Sequence, residues 1–237
     1  RVKTGSAFSR LIASVPIKNI SAAASRNGVS ITIYLVSVYL FTLQHIFENI
    51  NKRNKYKKKK TIRVQVPVNL RNIFPSVTMR NFSLFVMPGI DLRLGHYDFE
   101  EIIKTVYHQV KLETDKKLIN KNISRNVGSE KKLYVRGIPL FLKSFILRLK
   151  YFSLGISQYS GVITNLGKIN LPAESSPLIN HFVITPPPPS KILKINCGVA
   201  GFGDEMVLSF GNVTHSQEFE KLFLNFLQSQ EIPVKFL

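Results

Sequence analysis

Residues 161–198 read GVITNLGKINLPAESSPLINHFVITPPPPSKILKINCG, and their pattern sets the fold class. Short apolar and β-branched runs predict strands over 161–165, 181–185 and 192–200, separated by glycine, serine and proline. The four prolines Pro186, Pro187, Pro188 and Pro189 make a stiff polyproline turn, too short for a domain linker or an SH3-type ligand. Downstream, a further strand is predicted over 205–212 and a closing helix over 216–230. Gly198, Gly201 and Gly203 fall inside this strand pair rather than ahead of a helix, so they read as turn geometry and not as a dinucleotide fingerprint.

Upstream, TIRVQVPVN over 61–69 places Ile62, Val64, Val66 and Val68 against Arg63, Gln65 and Pro67, the period of two expected of a half-buried strand. Pro67 argues against a central position, because proline has no N–H for the ladder. A second strand is predicted over 81–87. Residues 30–49, apolar nearly all round and preceded by Gly28 with Ser30 as cap, predict a long helix. Its length suits a membrane span, but Ser37, Thr42, Gln44 and His45 interrupt it, and a core helix of a large α/β protein is favoured. Apolar residues recur every three or four positions over 98–122, behind Asp98 as cap with Glu100 and Glu101 in the first turn, which predicts one amphipathic helix. A last helical candidate covers 133–154, broken or kinked near Gly137 and Pro139; it carries Lys143, Arg148 and Lys150, and docking on the core is its expected role ahead of a membrane surface.

The chain has 237 residues and is 44% hydrophobic, which excludes disorder as a description of the whole. A single cysteine, Cys197, excludes an internal disulfide framework and a cysteine zinc site, and fits a reducing, cytoplasmic setting. With Arg1 first and no apolar leader core over the opening residues, the chain is expected to begin inside a longer protein. Basic residues outnumber acidic ones 33 to 14, a net charge of +19, and residues 51–63 hold eight of the positive charges and no negative one. Such a field attracts phosphate on lipid, cofactor or nucleic acid, yet a solvated turn explains a lysine run equally well. Nucleic acid ranks last, because the run has only two arginines and one aromatic, Tyr56.

The five histidines, His45, His96, His108, His181 and His215, belong to no HExxH, paired-His or His/Cys spacing, so no metal site is expected. No GxSxG elbow or Walker loop occurs. His96 and Asp98 are close enough for an acid/base pair, although capping of the following helix is the preferred reading of Asp98.

The order of motifs resembles one superfamily. Thr164-Asn165-Leu166-Gly167 between strands, followed by the proline run and the 192–200 strand, is similar to the Ser/Thr-Asn-Leu-Gly turn of CoA-dependent acyltransferases with the chloramphenicol acetyltransferase fold. Asn27-Gly28-Val29-Ser30 at the head of the long helix looks like the second-lobe entry of two-lobed members, such as alcohol acetyltransferases and nonribosomal peptide condensation domains. Pro67-Val68-Asn69-Leu70-Arg71 and Arg80-Asn81-Phe82 are similar to their basic strand and Asn-Phe strand start.

The resemblance implies an α/β chain, a mixed β-sheet flanked by long helices, forming over residues 1–237 the C-terminal lobe of a two-lobed acyltransferase. In that superfamily an HHxxxDG histidine in the other lobe removes the acceptor's proton, and this sequence has no HHxxxDG. Where one-lobed relatives carry DHRxxDG, residues 211–217 read GNVTHSQ, with Asn212 in place of the base. By the same resemblance Thr164 is the oxyanion-stabilising candidate. Asn165 and Gly167 shape its turn or touch substrate, and Asn69, Arg71 and Asn81 are weaker candidates for the tunnel wall. The expected donor is coenzyme A carrying an acyl group, and the acceptor an alcohol or amine. The expected partner is the histidine-bearing N-terminal lobe, without which the chain should be inactive. The competing class is a non-catalytic basic module binding anionic membrane or nucleic acid.

Overall fold

Alternating burial builds the sheet. In the computed structural model, which describes residues 9–53, 61–132, 137–151, 158–186 and 193–237, strands β1 (Ser9–Pro16), β2 (Thr61–Asn69), β3 (Ser83–Val86), β4 (Gly89–Asp91), β5 (Gly161–Lys168), β6 (Ile195–Phe202), β7 (Glu205–Asn212) and β8 (Lys235–Phe236) form one mixed sheet. Its order is β3-β2-β5-β6-β7-β1-β8, with β4 pairing β2. The β2–β5 and β5–β6 pairs are parallel, and the other ladders antiparallel.

Every second residue points to one face: Ile62, Val64 and Val66 from β2, Ile163 from β5, Cys197 and Val199 from β6, Met206, Leu208 and Phe210 from β7, Ala13 and Val15 from β1. All belong to one buried cluster. Helices α1 (Ile17–Arg26), α2 (Ile31–Arg53), α3 (Phe99–Glu113) and α6 (Glu218–Ser229) supply the rest of that core. α2 is long and apolar enough to cross a membrane by composition, and here it runs through the core, with Tyr34, Leu35, Val38, Tyr39 and Leu40 fully buried. Tyr39 Oη donates to Ile195 O at 2.7 Å, tying α2 to the head of β6. Gly161 allows that approach, since a Cβ there would stand 2.0 Å from the Tyr39 hydroxyl oxygen.

Strands β2 and β7 have the bounds expected from alternation, and Gly203, at φ +58°, turns the β6–β7 hairpin. Asp98 caps α3 in a reciprocal capping box with Glu101, and Ser30 Oγ accepts from Ile33 N at the head of α2.

Other expectations need correction. The amphipathic stretch 98–122 is two helices, because Asp115 accepts from Lys117 N and Leu118 N and so starts α4 (Lys116–Lys131) afresh. Residues 181–185 join no ladder; they lie across the sheet, with Ile184 O where a Cβ on Gly198 would clash at 2.7 Å. The helix expected over 133–154 is described only as α5 (Leu140–Lys150), opened by Pro139, and it does not dock on the core: Phe141, Phe145, Leu147 and Leu149 are all exposed. β1 and α1 escaped the sequence reading. The lysines of 54–60 and most of the proline run lie outside the described residues.

Candidate functional site

The parallel strands β2 and β5 share a ladder only at Val64/Gly161 and Gln65/Val162. Beyond it Pro67 offers no N–H, and β2 continues on the β3 side alone, from Val66/Val86 to Asn69/Ser83. The C-terminal halves of β2 and β5 therefore part, at the carboxyl ends of parallel strands, where open α/β sheets characteristically form their crevices.

Thr164 is the second residue past the split. It pairs Gly198 in the register with β6, so its side chain lies on the sheet face opposite α2. Thr164 is half-buried, and its hydroxyl makes no hydrogen bond among the described residues. Leu166, next on this face, is 61% exposed, and Phe85, paired with Pro67, is 52% exposed. Further along the same face, Ile184 covers Gly198, and Phe182 meets Phe202 edge-on at 5.1 Å. This second face is thus closed over β6 and open over β5, β2 and β3.

Asn165 looks the other way. Its Nδ2 donates to Thr32 Oγ1 of α2 at 3.0 Å, and its Oδ1 accepts from Gly167 N at 2.8 Å. Both ends of the amide shape the turn, and Gly167, at φ +75°, holds a left-handed backbone that suits glycine. Asn69 Oδ1 accepts from Arg71 N. The Arg71 guanidinium donates to Thr78 O and Arg80 O, both at 2.7 Å, and so closes the loop between β2 and β3. Asn81 is exposed and accepts from Ser83 Oγ. The structure thus brings the six candidates to one end of the sheet in two groups, Thr164, Asn165 and Gly167 on β5, and Asn69, Arg71 and Asn81 around the β2–β3 connection. Of the β5 group only Thr164 presents an uncommitted hydroxyl.

The other end of the strands holds the degenerate position. Asn212, fully buried at the close of β7, uses its whole side chain: Nδ2 donates to Ser216 O and Glu220 Oε1, and Oδ1 accepts from Thr214 N and Thr214 Oγ1. An amide so saturated is a structural node and carries no titratable proton. Beside it a cleft of about 450 Å³ is walled by Tyr39, Leu43, Phe47 and Phe219, with Lys194 and Thr214 at its rim. Sequence reasoning missed Tyr39 and Glu220, which have no motif; only the fold brings them to β6 and Asn212.

Burial holds the Tyr39 hydroxyl and the Cys197 thiol well above their ordinary ranges, with the nearby Glu220 carboxylate adding to both, so neither is a nucleophile at neutral pH. His96 Nδ1 lies 2.8 Å from Glu48 Oε1 rather than on Asp98, which is occupied as a cap. Among the described residues no three His, Cys, Asp or Glu side chains converge as metal ligands.

No family model matches the chain, and no curated protein matches it in sequence. Solved structures do match it in fold. The nonribosomal peptide synthetase FmoA3 in an α-methyl-L-serine-AMP bound form aligns with a TM-score of 0.56 at 13% identity, covering 97% of this chain and 24% of that one. The wax ester synthase/diacylglycerol acyltransferase from Marinobacter aquaeolei VT8 aligns at 0.54 and 12% identity, over 94% of this chain and 48% of that one. The epimerization domain from the third module of tyrocidine synthetase B gives 0.56 and 11%, over 95% and 47%. At such identities the likeness is one of fold: the chain has the mixed α/β architecture of condensation domains and chloramphenicol acetyltransferase-like acyltransferases. It spans from about a quarter to about half of the length of these three chains.

Proposed function

We propose that this chain is the C-terminal lobe of a two-lobed acyltransferase that moves an acyl group from a CoA thioester to an alcohol or amine. The observation that carries this reading is the open sheet face around Thr164, at the split between β2 and β5, in a fold shared with acyl-transferring proteins. A half-buried hydroxyl with no hydrogen-bond partner among the described residues, beside exposed apolar residues, suits one wall of a tunnel whose other wall is a second lobe. In the reaction, a histidine of that lobe takes the acceptor's proton as its oxygen or nitrogen attacks the thioester carbon. The oxyanion that forms is stabilised by the Thr164 hydroxyl. Its collapse breaks the C–S bond, and the thiolate leaves as free CoA after recovering the proton from the imidazolium. Asn165 and Gly167 hold the strand turn that aims Thr164, and Arg71 with Asn69 keeps the neighbouring loop in place. A cytoplasmic setting accords with the lone thiol and with CoA as donor.

The test begins with the coding sequence upstream of Arg1, which should encode an HHxxxDG within about one domain's length. In the protein so defined, release of free CoA from acetyl-CoA in the presence of an alcohol should fall about 100- to 1,000-fold in kcat for Thr164→Ala and largely return in Thr164→Ser. An unchanged turnover number in the alanine variant, or no HHxxxDG upstream, overturns the assignment.

A further inference from the structure

The structure assigns α5 to the surface of an anionic lipid bilayer: Phe141, Phe145 and Leu149 enter the interface while Arg148 and Lys143 meet headgroup phosphates. Helices of globular proteins bury at least one stripe, and none of the described side chains of α5 is buried. Phe141 is 78% exposed, Phe145 61% and Leu149 56%, and Leu140 and Leu147 on the remaining side are exposed as well. At 100° per residue, Phe141, Leu142, Phe145, Ile146 and Leu149 cover an apolar sector of about 140°. Arg148 stands at one border of that sector and Lys143 beyond the other.

A wide apolar sector with a cation on each side is the arrangement in which long basic side chains reach back to the headgroups while the rings enter the acyl boundary. Residues 137–151 contain Lys143, Arg148 and Lys150 and no acid, within a chain of net charge +19, so the charge complementarity is to an anionic lipid surface. A protein groove would need to answer those cations with carboxylates and would still leave the opposite side of the helix bare. Another exposed apolar region, around Leu166 and Phe85, belongs to a sheet face that ends in a crevice and suits a protein lobe. The proposal stands apart from the acyl-transfer reading, since vesicle binding is measured without turnover.

The chain contains no tryptophan, so Phe145→Trp reports from α5 alone. Its emission should resemble that of a water-exposed indole in buffer. It should shift to shorter wavelength on addition of vesicles of phosphatidylglycerol and phosphatidylcholine in roughly equal parts, and should be quenched by bromine-labelled acyl chains. In sedimentation with the same vesicles, the double variant Phe141→Asp, Phe145→Asp should lower the partition coefficient by at least about tenfold, with an unchanged thermal melt because both side chains are exposed. Arg148→Gln with Lys143→Gln should remove the preference over pure phosphatidylcholine. An emission already blue-shifted in buffer would mean that a protein surface covers α5, and it sinks the proposal. So does equal pelleting of the aspartate variant, or binding abolished by Lys57 to Lys60→Gln and indifferent to Phe141 and Phe145.

Discussion

Consecutive residues of β5 belong to different worlds. Ile163 is buried against α2 and Asn165 is hydrogen-bonded to it, whereas Thr164 and Leu166 between and beyond them face the open side of the same strand. One face carries the cooperative core, with aromatic rings from α3, α6 and β7 in contact; the other is closed over β6 and β7, where Ala200, Val207 and Ser209 are buried, and open along β5 and β2. The difference separates stability from function within a single strand: side chains that hold the fold point one way, and those free to meet a ligand or a second lobe point the other.

That contrast breaks first, if it breaks, on the core side. Phe223→Ala removes a fully buried ring packed on Phe210 at 5.2 Å, and should cost about 3–5 kcal/mol in urea unfolding. Leu166→Ala on the open face should cost less than about 0.5 kcal/mol, and equal penalties would contradict the division of faces. Asn212→Ala comes next, at about 2–4 kcal/mol, because it strips the buried Glu220 carboxylate of an amide donor and frees the loop held by Thr214 and Ser216. The same denaturation series on Asn212→Asp should show a loss that shrinks as the pH is lowered, two carboxylates having been placed side by side.

The two core tyrosines of α2 sharpen the comparison further. Tyr39→Phe should lose about 1–2 kcal/mol, since it leaves Ile195 O without its donor. Tyr34 is as deeply buried, but its hydroxyl has no partner among the described residues, so Tyr34→Phe should be neutral or stabilising by up to about 1 kcal/mol. Desolvation, only partly offset by Arg26, pushes the Tyr34 phenol up to about 12. Because the folded state retains a proton that the unfolded chain releases near pH 10, this contribution is intact below pH 10 and is lost as pH rises through 10 to 12. Thermal melts across that window should fall less steeply for Tyr34→Phe than for the parent chain.

Much of this was legible beforehand. The alternation of 61–69 and the apolar run of 205–212 needed only a period and a β-branched bias, and Asp98 with Glu101 announced the start of α3. β1 was not legible, because Ser9, Arg10, Ala13 and Ser14 hide its alternation and only the ladder with β7 makes it a strand. The break at Asp115 was hidden by apolar residues that keep their spacing across it. Residues 181–185 have the composition of a strand but lie over β6, whose two edges are already paired with β5 and β7. α5 has the composition of a core helix and stands outside the core.

Local periodicity, capping chemistry and turn residues act over a few positions, so the sequence by itself determined the strands β2 and β7 and the starts of α2 and α3, and the resemblance of its Thr164-Asn165-Leu166-Gly167 turn singled out Thr164. Which face Thr164 occupies, that β2 parts from β5 just before it, that Asn212 is locked to Glu220, and that α5 is left uncovered were decided only in the tertiary structure. Register and burial are properties of pairs of segments distant in the chain, and no single segment encodes them.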